Sequence, residues 1–147
     1  MRIALASDHA GFTLKDHLAG VLAAAGHDVL DVGAGGPESV DYPQYAAPAA
    51  RLVADGEADK GVLVCGSGNG VAIVANKVPG VRAVNAHDAD EAELARRHND
   101  ANVVTLSGAH LSTDAADAIV TTFLSTDFDG GRHARRVDQI TAMETPA

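Results

Sequence analysis

Gly61-Val62-Leu63-Val64-Cys65-Gly66-Ser67-Gly68-Asn69-Gly70 is the stretch that decides the fold. Gly61 to Cys65 is a continuous apolar run, as expected of a strand buried on both faces of a parallel sheet. Three of the next five residues are glycines, a turn that ends regular structure, and Val71 to Lys77 then reads as a short helix. Strand, turn and helix in that order form the repeating unit of an α/β protein.

The unit recurs on both sides. Toward the N-terminus, Ile3 to Ser7 is a short apolar strand, and Leu14, Leu18, Val21, Leu22 and Ala25 fall on one helix face. Asp28 to Val32 is a second strand. It is stopped by Gly33-Ala34-Gly35-Gly36-Pro37, and a polar loop carrying Asp41-Tyr42-Pro43 leads to a helix over Tyr45 to Ala54. Toward the C-terminus, Val81 to Asn85 is a fourth strand and Asp88 to His98 a helix, whose acidic first turns and Arg96, Arg97 and His98 in the last complement the helix dipole. Val103 to Leu106 is a fifth strand. Ser112-Thr113-Asp114 caps a helix with Ala116, Ile119, Val120, Phe123 and Leu124 on its apolar face, and a final helix is expected from His133 to Glu144. Without internal repeats or an interior linker, residues 1–147 are expected to form a single α/β domain. The predicted architecture is a three-layer Rossmann-like fold with a five-stranded parallel sheet.

Composition agrees. The 147 residues are 46% hydrophobic but only 3% aromatic, so Ala, Val, Leu and Ile must build the core. A net charge of −9 argues against a nucleic-acid or anionic-membrane surface, and any bound anion must meet a local basic cluster. Cys65 is the single cysteine, which excludes an internal disulfide and favours a reducing, intracellular setting. The N-terminal residues reach Ser7-Asp8-His9 too soon for a signal peptide, and no apolar run approaches the roughly 18 residues of a membrane span. A soluble, cytoplasmic protein is expected.

Ligands of parallel α/β sheets bind beyond the carboxyl ends of the strands, so the polar residues following each strand are the candidates. Cys65 opens a turn whose backbone N–H groups can converge near a helix N-terminus, a nest that binds anions and favours a thiolate; the plainer reading is a small buried residue ending a strand. The turn is not a cysteine-phosphatase loop, because Val71 stands where an Arg is required. Nor is it a dinucleotide fingerprint, since its glycines are spaced G-x-G-x-G after the third strand. Asp8-His9 reads either as a helix cap or as a carboxylate and imidazole facing the crevice. His98-Asn99-Asp100 ends a helix, as a C-cap or as a proton-transfer site. Arg132, Arg135 and Arg136 form either a solvated charge run or a phosphate clamp, with Arg132 and Arg136 on one helix face. The seven histidines show no pair at metal-binding spacing in a ligand-like context, so no metal is expected. A thiolate in a nest, histidines that move protons and a phosphate clamp together suit proton abstraction beside a carbonyl, as in aldose–ketose isomerisation of a sugar phosphate. The competing class is a non-catalytic α/β module that binds an anion or nucleotide through the glycine turn.

Six ordered motifs then carry a family resemblance over nearly the whole chain. They are Ser7-Asp8-His9-Ala10-Gly11, Asp41-Tyr42-Pro43, Cys65 to Gly70, Ala75-Asn76-Lys77, His98-Asn99-Asp100-Ala101-Asn102, and Gly130-Gly131-Arg132-His133 with Arg136. The chain resembles the ribose-5-phosphate isomerase B family, which also includes allose- and galactose-6-phosphate isomerases. The resemblance implies that Cys65 moves a proton between C1 and C2 while the backbone of Gly66, Ser67, Gly68, Asn69 and Gly70 holds the enediolate, assisted by the Ser67 hydroxyl. His98 would open the furanose ring with Asp8, His9, Arg132 and Arg136 would hold the phosphate, and Tyr42 and Asn99 would line the sugar. It further implies no cofactor, and a homodimer or dimer of dimers in which His98 and Asn99 act across the interface. Relatives that use a Glu directly after the glycine turn are not matched, because Val71 is there. Where the family carries Gly-Ala-Arg or Gly-Ser-Arg after the fifth strand, this chain has Gly108-Ala109-His110, with His110 a candidate substitute for the Arg. Hexose 6-phosphates and tetrose phosphates are the alternative substrates.

Overall fold

Five parallel strands, β1 (Arg2–Ser7), β2 (Asp28–Gly33), β3 (Lys60–Cys65), β4 (Ala83–Asn85) and β5 (Val103–Ser107), lie in the order β2-β1-β3-β5-β4. The computed structural model describes residues 1–144. Six helices connect and follow the strands: α1 (Phe12–Ala24), α2 (Pro43–Ala54), α3 (Asn69–Asn76), α4 (Ala89–Asn99), α5 (Thr113–Ser125) and α6 (Arg132–Ala142).

Strand alternation sorts the apolar residues onto two faces. Ile3, Leu5, Val62, Val64, Val104 and Leu106 pack against Leu14 and Leu18 of α1, Ala92 and Ala95 of α4, and Ile119 and Phe123 of α5. Ala4, Ala6, Leu63, Cys65 and Val103 face Ala46, Ala49, Ala50 and Val53 of α2 and Val71 and Ala75 of α3. Alanines dominate this second layer, which lets its helices approach the sheet closely.

The expected elements all form, with shifted ends. β4 begins at Ala83 rather than Val81, because the Val81 N–H bonds to the Val78 carbonyl and the Arg82 N–H to Asn102 Oδ1. Pro43 occupies the first turn of α2, where its missing N–H costs nothing. The N-cap of α3 is Gly68 at φ 82°, so that helix starts at Asn69. No helix among the described residues is long and apolar enough to cross a membrane.

From β1 the chain turns outward to β2 and then crosses to β3 on the other side of β1. The crevice of such a sheet opens where this reversal occurs, above the carboxyl ends of β1 and β3. Ser7-Asp8-His9 and the Cys65 turn therefore share one site.

Candidate active site

Asp8 is buried at the end of β1, and its Oδ1 accepts from Gly11 N–H at 3.0 Å. That bond closes a turn lying against β3: a Cβ on Gly11 would stand 2.6 Å from the Val64 carbonyl oxygen, so only glycine allows the approach. His9 is exposed, with Nδ1 3.2 Å from Val40 N–H. In the tautomer where Nδ1 accepts this bond, Nε2–H is free to donate to an anion. Across the crevice Cys65 is 5% exposed, and its Sγ accepts from Gly68 N–H at 3.2 Å. Ser67 Oγ accepts from Asn69 N–H at 3.1 Å. The N–H groups of Gly70 and Val71, in the first turn of α3, have no acceptor within the helix. Tyr42 closes this side, since a Cβ on Gly70 would overlap its ring. Asp8, His9, Tyr42, Cys65 and the glycine turn are thus brought together.

The remaining predicted residues are elsewhere. Because α4 runs antiparallel to the strands, its last residues, His98 and Asn99, lie at the opposite, amino end of the sheet from Cys65. The His98 ring stacks on that of His133 with centroids 4.3 Å apart and planes 10° from parallel. Burial first, and then the charges of His98, Arg132 and Arg136, hold the His133 imidazole below its ordinary pKa, opposed by Asp129. Arg82 fixes the segment by donating from Nε to the carbonyls of Asn99 and Asp100 at 3.1 and 3.0 Å. Buried Arg96 holds Asp100 Oδ1 at 2.9 Å and the Ala101 carbonyl at 2.6 Å. Arg132 and Arg136 stand exposed on α6 beside this histidine pair. In one chain the predicted site is therefore two half-sites, a thiol half and a histidine–arginine half.

One feature, a histidine–aspartate cluster, escaped sequence reading, whereas His110 was already a candidate. His98, Asp129 and His133 offer ligand atoms within 4.8 Å of one another, the donor set of a metal site. Histidine spacing could not show it, because His98 and His133 come from different helices, although Asp129-x-x-x-His133 was a local signal. The Asp129 carboxylate is engaged by Arg97, whose Nε and Nη2 lie 3.3 and 3.2 Å from its two oxygens. His110 lies beyond β5, where Ser107 Oγ donates to the Gly66 carbonyl at 2.6 Å. His110 Nδ1, 2.9 Å from the same hydroxyl, must then donate to it, leaving Nε2 available.

A doubly wound α/β sheet with a buried thiol and an amide-rich turn at its switch point defines a small-molecule enzyme site for an anionic substrate. The chain belongs to the ribose/galactose isomerase family, whose model matches residues 3–140. It is 43% identical to ribose-5-phosphate isomerase B of Escherichia coli over 97% of this chain and 96% of the relative. It superposes on the Clostridium thermocellum ribose-5-phosphate isomerase B structure with a TM-score of 0.97, at 44% identity over 98% of this chain and 97% of the other. The Mycoplasma genitalium ribose-5-phosphate isomerase B structure with bound ribulose-5-phosphate gives a TM-score of 0.96, at 39% identity over 99% and 97% of the two chains.

Proposed function

We propose that this protein is an aldose–ketose isomerase interconverting ribose 5-phosphate and ribulose 5-phosphate through an enediolate, with Cys65 as the base. The observation that carries the reading is the buried Cys65 Sγ beneath a glycine turn that already donates one N–H to it. The thiolate removes the proton from C2 of the opened aldose and returns it to C1, while a proton passes from the C2 hydroxyl to the C1 oxygen, so that the C1 aldehyde becomes a hydroxyl and C2 a ketone. Charge developing on the two oxygens is met by the turn's backbone N–H groups, and the Ser67 hydroxyl assists. Asp8 and His98 exchange the protons that open the furanose ring, Tyr42 and Asn99 line the sugar, and His9, Arg132 and Arg136 hold the phosphate. His110 takes the place of a further phosphate-binding arginine as an imidazolium, in which Nδ1–H keeps the Ser107 bond and Nε2–H donates to the phosphate. No metal or organic cofactor takes part, and residues 1–147 act as one cytoplasmic domain.

The two halves combine when a second copy brings its His98, Asn99 and α6 to the thiol half of the first. β4 is an edge strand, and exposed Ile73 and Leu94 flank it from α3 and α4, while Ile140 and Met143 extend the apolar surface on α6. Such a surface suits a homodimer interface. The test of the function is a panel of four-, five- and six-carbon sugar phosphates with purified protein in EDTA. Ribose 5-phosphate should be isomerised fastest. Faster turnover of a six-carbon 6-phosphate would reassign the substrate, and turnover of none would leave an anion-binding module.

A further inference from the structure

Three consecutive carbonyls of the glycine turn are each held by a side chain from the two neighbouring strands. Ser107 Oγ donates to the Gly66 carbonyl at 2.6 Å, Asn85 Nδ2 to that of Ser67 at 3.2 Å, and Thr105 Oγ1 to that of Gly68 at 2.8 Å. Thr105 is fully buried, an expensive place for a hydroxyl unless its bond matters. Asn85 Nδ2 also donates to Asn69 Oδ1 at 2.8 Å, and its own Oδ1 is buried against Gly68 with no hydrogen-bond partner among the described residues. Register explains the convergence. Cys65 pairs with Ser107, Leu63 with Thr105 and Thr105 with Asn85, so the two-residue period sets all three polar side chains on the face of the sheet that carries Cys65 and α3.

A peptide unit is planar, with its N–H opposed to its carbonyl. Fixing the Gly66, Ser67 and Gly68 carbonyls therefore fixes the N–H groups of Ser67, Gly68 and Asn69, of which Gly68 already donates to Cys65 Sγ and Asn69 to Ser67 Oγ. Donors of an oxyanion hole work when they are oriented before charge appears, so whatever sets these planes sets the hole. We infer that Thr105, with Asn85 and Ser107, is a positioning residue that sets the backbone N–H groups of the glycine turn, and the Ser67 hydroxyl that the Asn69 N–H holds, for the thiol and the developing enediolate. The inference rests on the isomerase reading of this same turn.

Thr105→Val keeps the shape and deletes the donor, and Thr105→Ser keeps the donor. Relative to wild type, Thr105→Val should lose roughly 10 to 100-fold in kcat, less than the loss of a direct hole donor, with KM within about twofold. Affinity for a phosphorylated four-carbon hydroxamate, an enediolate mimic, should fall in step with kcat while competition by inorganic phosphate is unchanged. Thr105→Ser should restore both. A folded Thr105→Val with native kcat and native hydroxamate affinity overturns the inference. So does a parallel loss of hydroxamate and phosphate binding, or a failure of Thr105→Ser to rescue. If Thr105→Val does not fold, Asn85→Ala decides on the same criteria. A wild-type chain that binds the hydroxamate but turns over no sugar phosphate refutes the isomerase reading alone, and the hydroxamate-to-phosphate ratio still decides the role of Thr105. Binding of neither anion to wild type overturns both.

Discussion

Mixing two inactive variants should restore activity if the site is shared between copies. The Gly61 N–H bonds to the Asn102 carbonyl, which places the end of the His98–Asn102 segment level with the start of β3. From Gly61 to Cys65 the strand extends about 13 Å at roughly 3.3 Å per residue, several times the reach of a hydrogen bond. Within one chain the segment that carries His98 thus lies at the opposite end of β3 from Cys65. Cys65→Ser and His98→Asn homodimers should each retain no more than about one hundredth of wild-type turnover, the usual penalty for a lost proton-transfer group. Random exchange makes about half the dimers heterodimeric, and each of those has one intact site and one doubly defective site. The mixture should then recover about one quarter of wild-type kcat, a gain of more than an order of magnitude over either parent. Native mass spectrometry would establish that exchange has occurred, and turnover of ribose 5-phosphate would be followed before and after. Heterodimers without a gain in activity, or a fully active monomer by sedimentation, would refute the shared site.

Cys65→Ser alone should lower kcat about 10² to 10⁴-fold with little change in KM, since the phosphate-holding groups are untouched; iodoacetamide should inactivate the wild type and substrate should protect it. Near-native turnover by the folded variant would send the search for the base elsewhere. Arg136→Ala should raise KM strongly, because a charge-assisted hydrogen bond contributes about 1.5 to 3 kcal/mol, and an unchanged KM would return the arginine cluster to a solvated surface. The His133 ring should titrate by NMR below the ordinary histidine range. Removing positive neighbours lowers the penalty on imidazolium, so Arg132→Ala with Arg136→Ala should raise that midpoint, whereas Asp129→Asn should lower it further; movement in the opposite directions would contradict the electrostatic environment described for α6.

What the sequence made legible is what is local. The run from Gly61 to Cys65 reads as a buried strand and the three glycines after it as a turn with exposed amides, so the thiol and its turn, though not the Asp8, His9 and Tyr42 packed beside them, were legible in one stretch of ten residues. Helix and strand ends were less legible because they depend on bonds from distant residues, such as Asn102 Oδ1 on the Arg82 N–H. The positioning side chains were in view in the sequence as Asn85, Thr105 and Ser107, but their shared face needs the strand order, which places β5 between β3 and β4. The stacking of His98 on His133 joins two helices far apart in sequence and left no local trace. The family resemblance supplied the ring-opening role for His98, which no spacing rule would have assigned, whereas a phosphate clamp was already one of two readings of the Arg132–Arg136 spacing.

The division of the site has an electrostatic logic. In one chain the groups assembled around the thiol are Asp8, His9, Tyr42, Cys65 and Ser67, and none of them carries a permanent positive charge. A sugar phosphate brought there would place its phosphate near the Asp8 carboxylate in a protein whose net charge is already −9. The permanent charges that could offset this, Arg132 and Arg136, stand on α6 beside the stacked His98 and His133 rings, and in the proposed dimer they would arrive with a second copy. Under that proposal the step that completes the ring-opening pair would also supply the attraction that holds the substrate. On the proposed roles a single chain would hold the base but lack the field, so association should switch on binding and chemistry together.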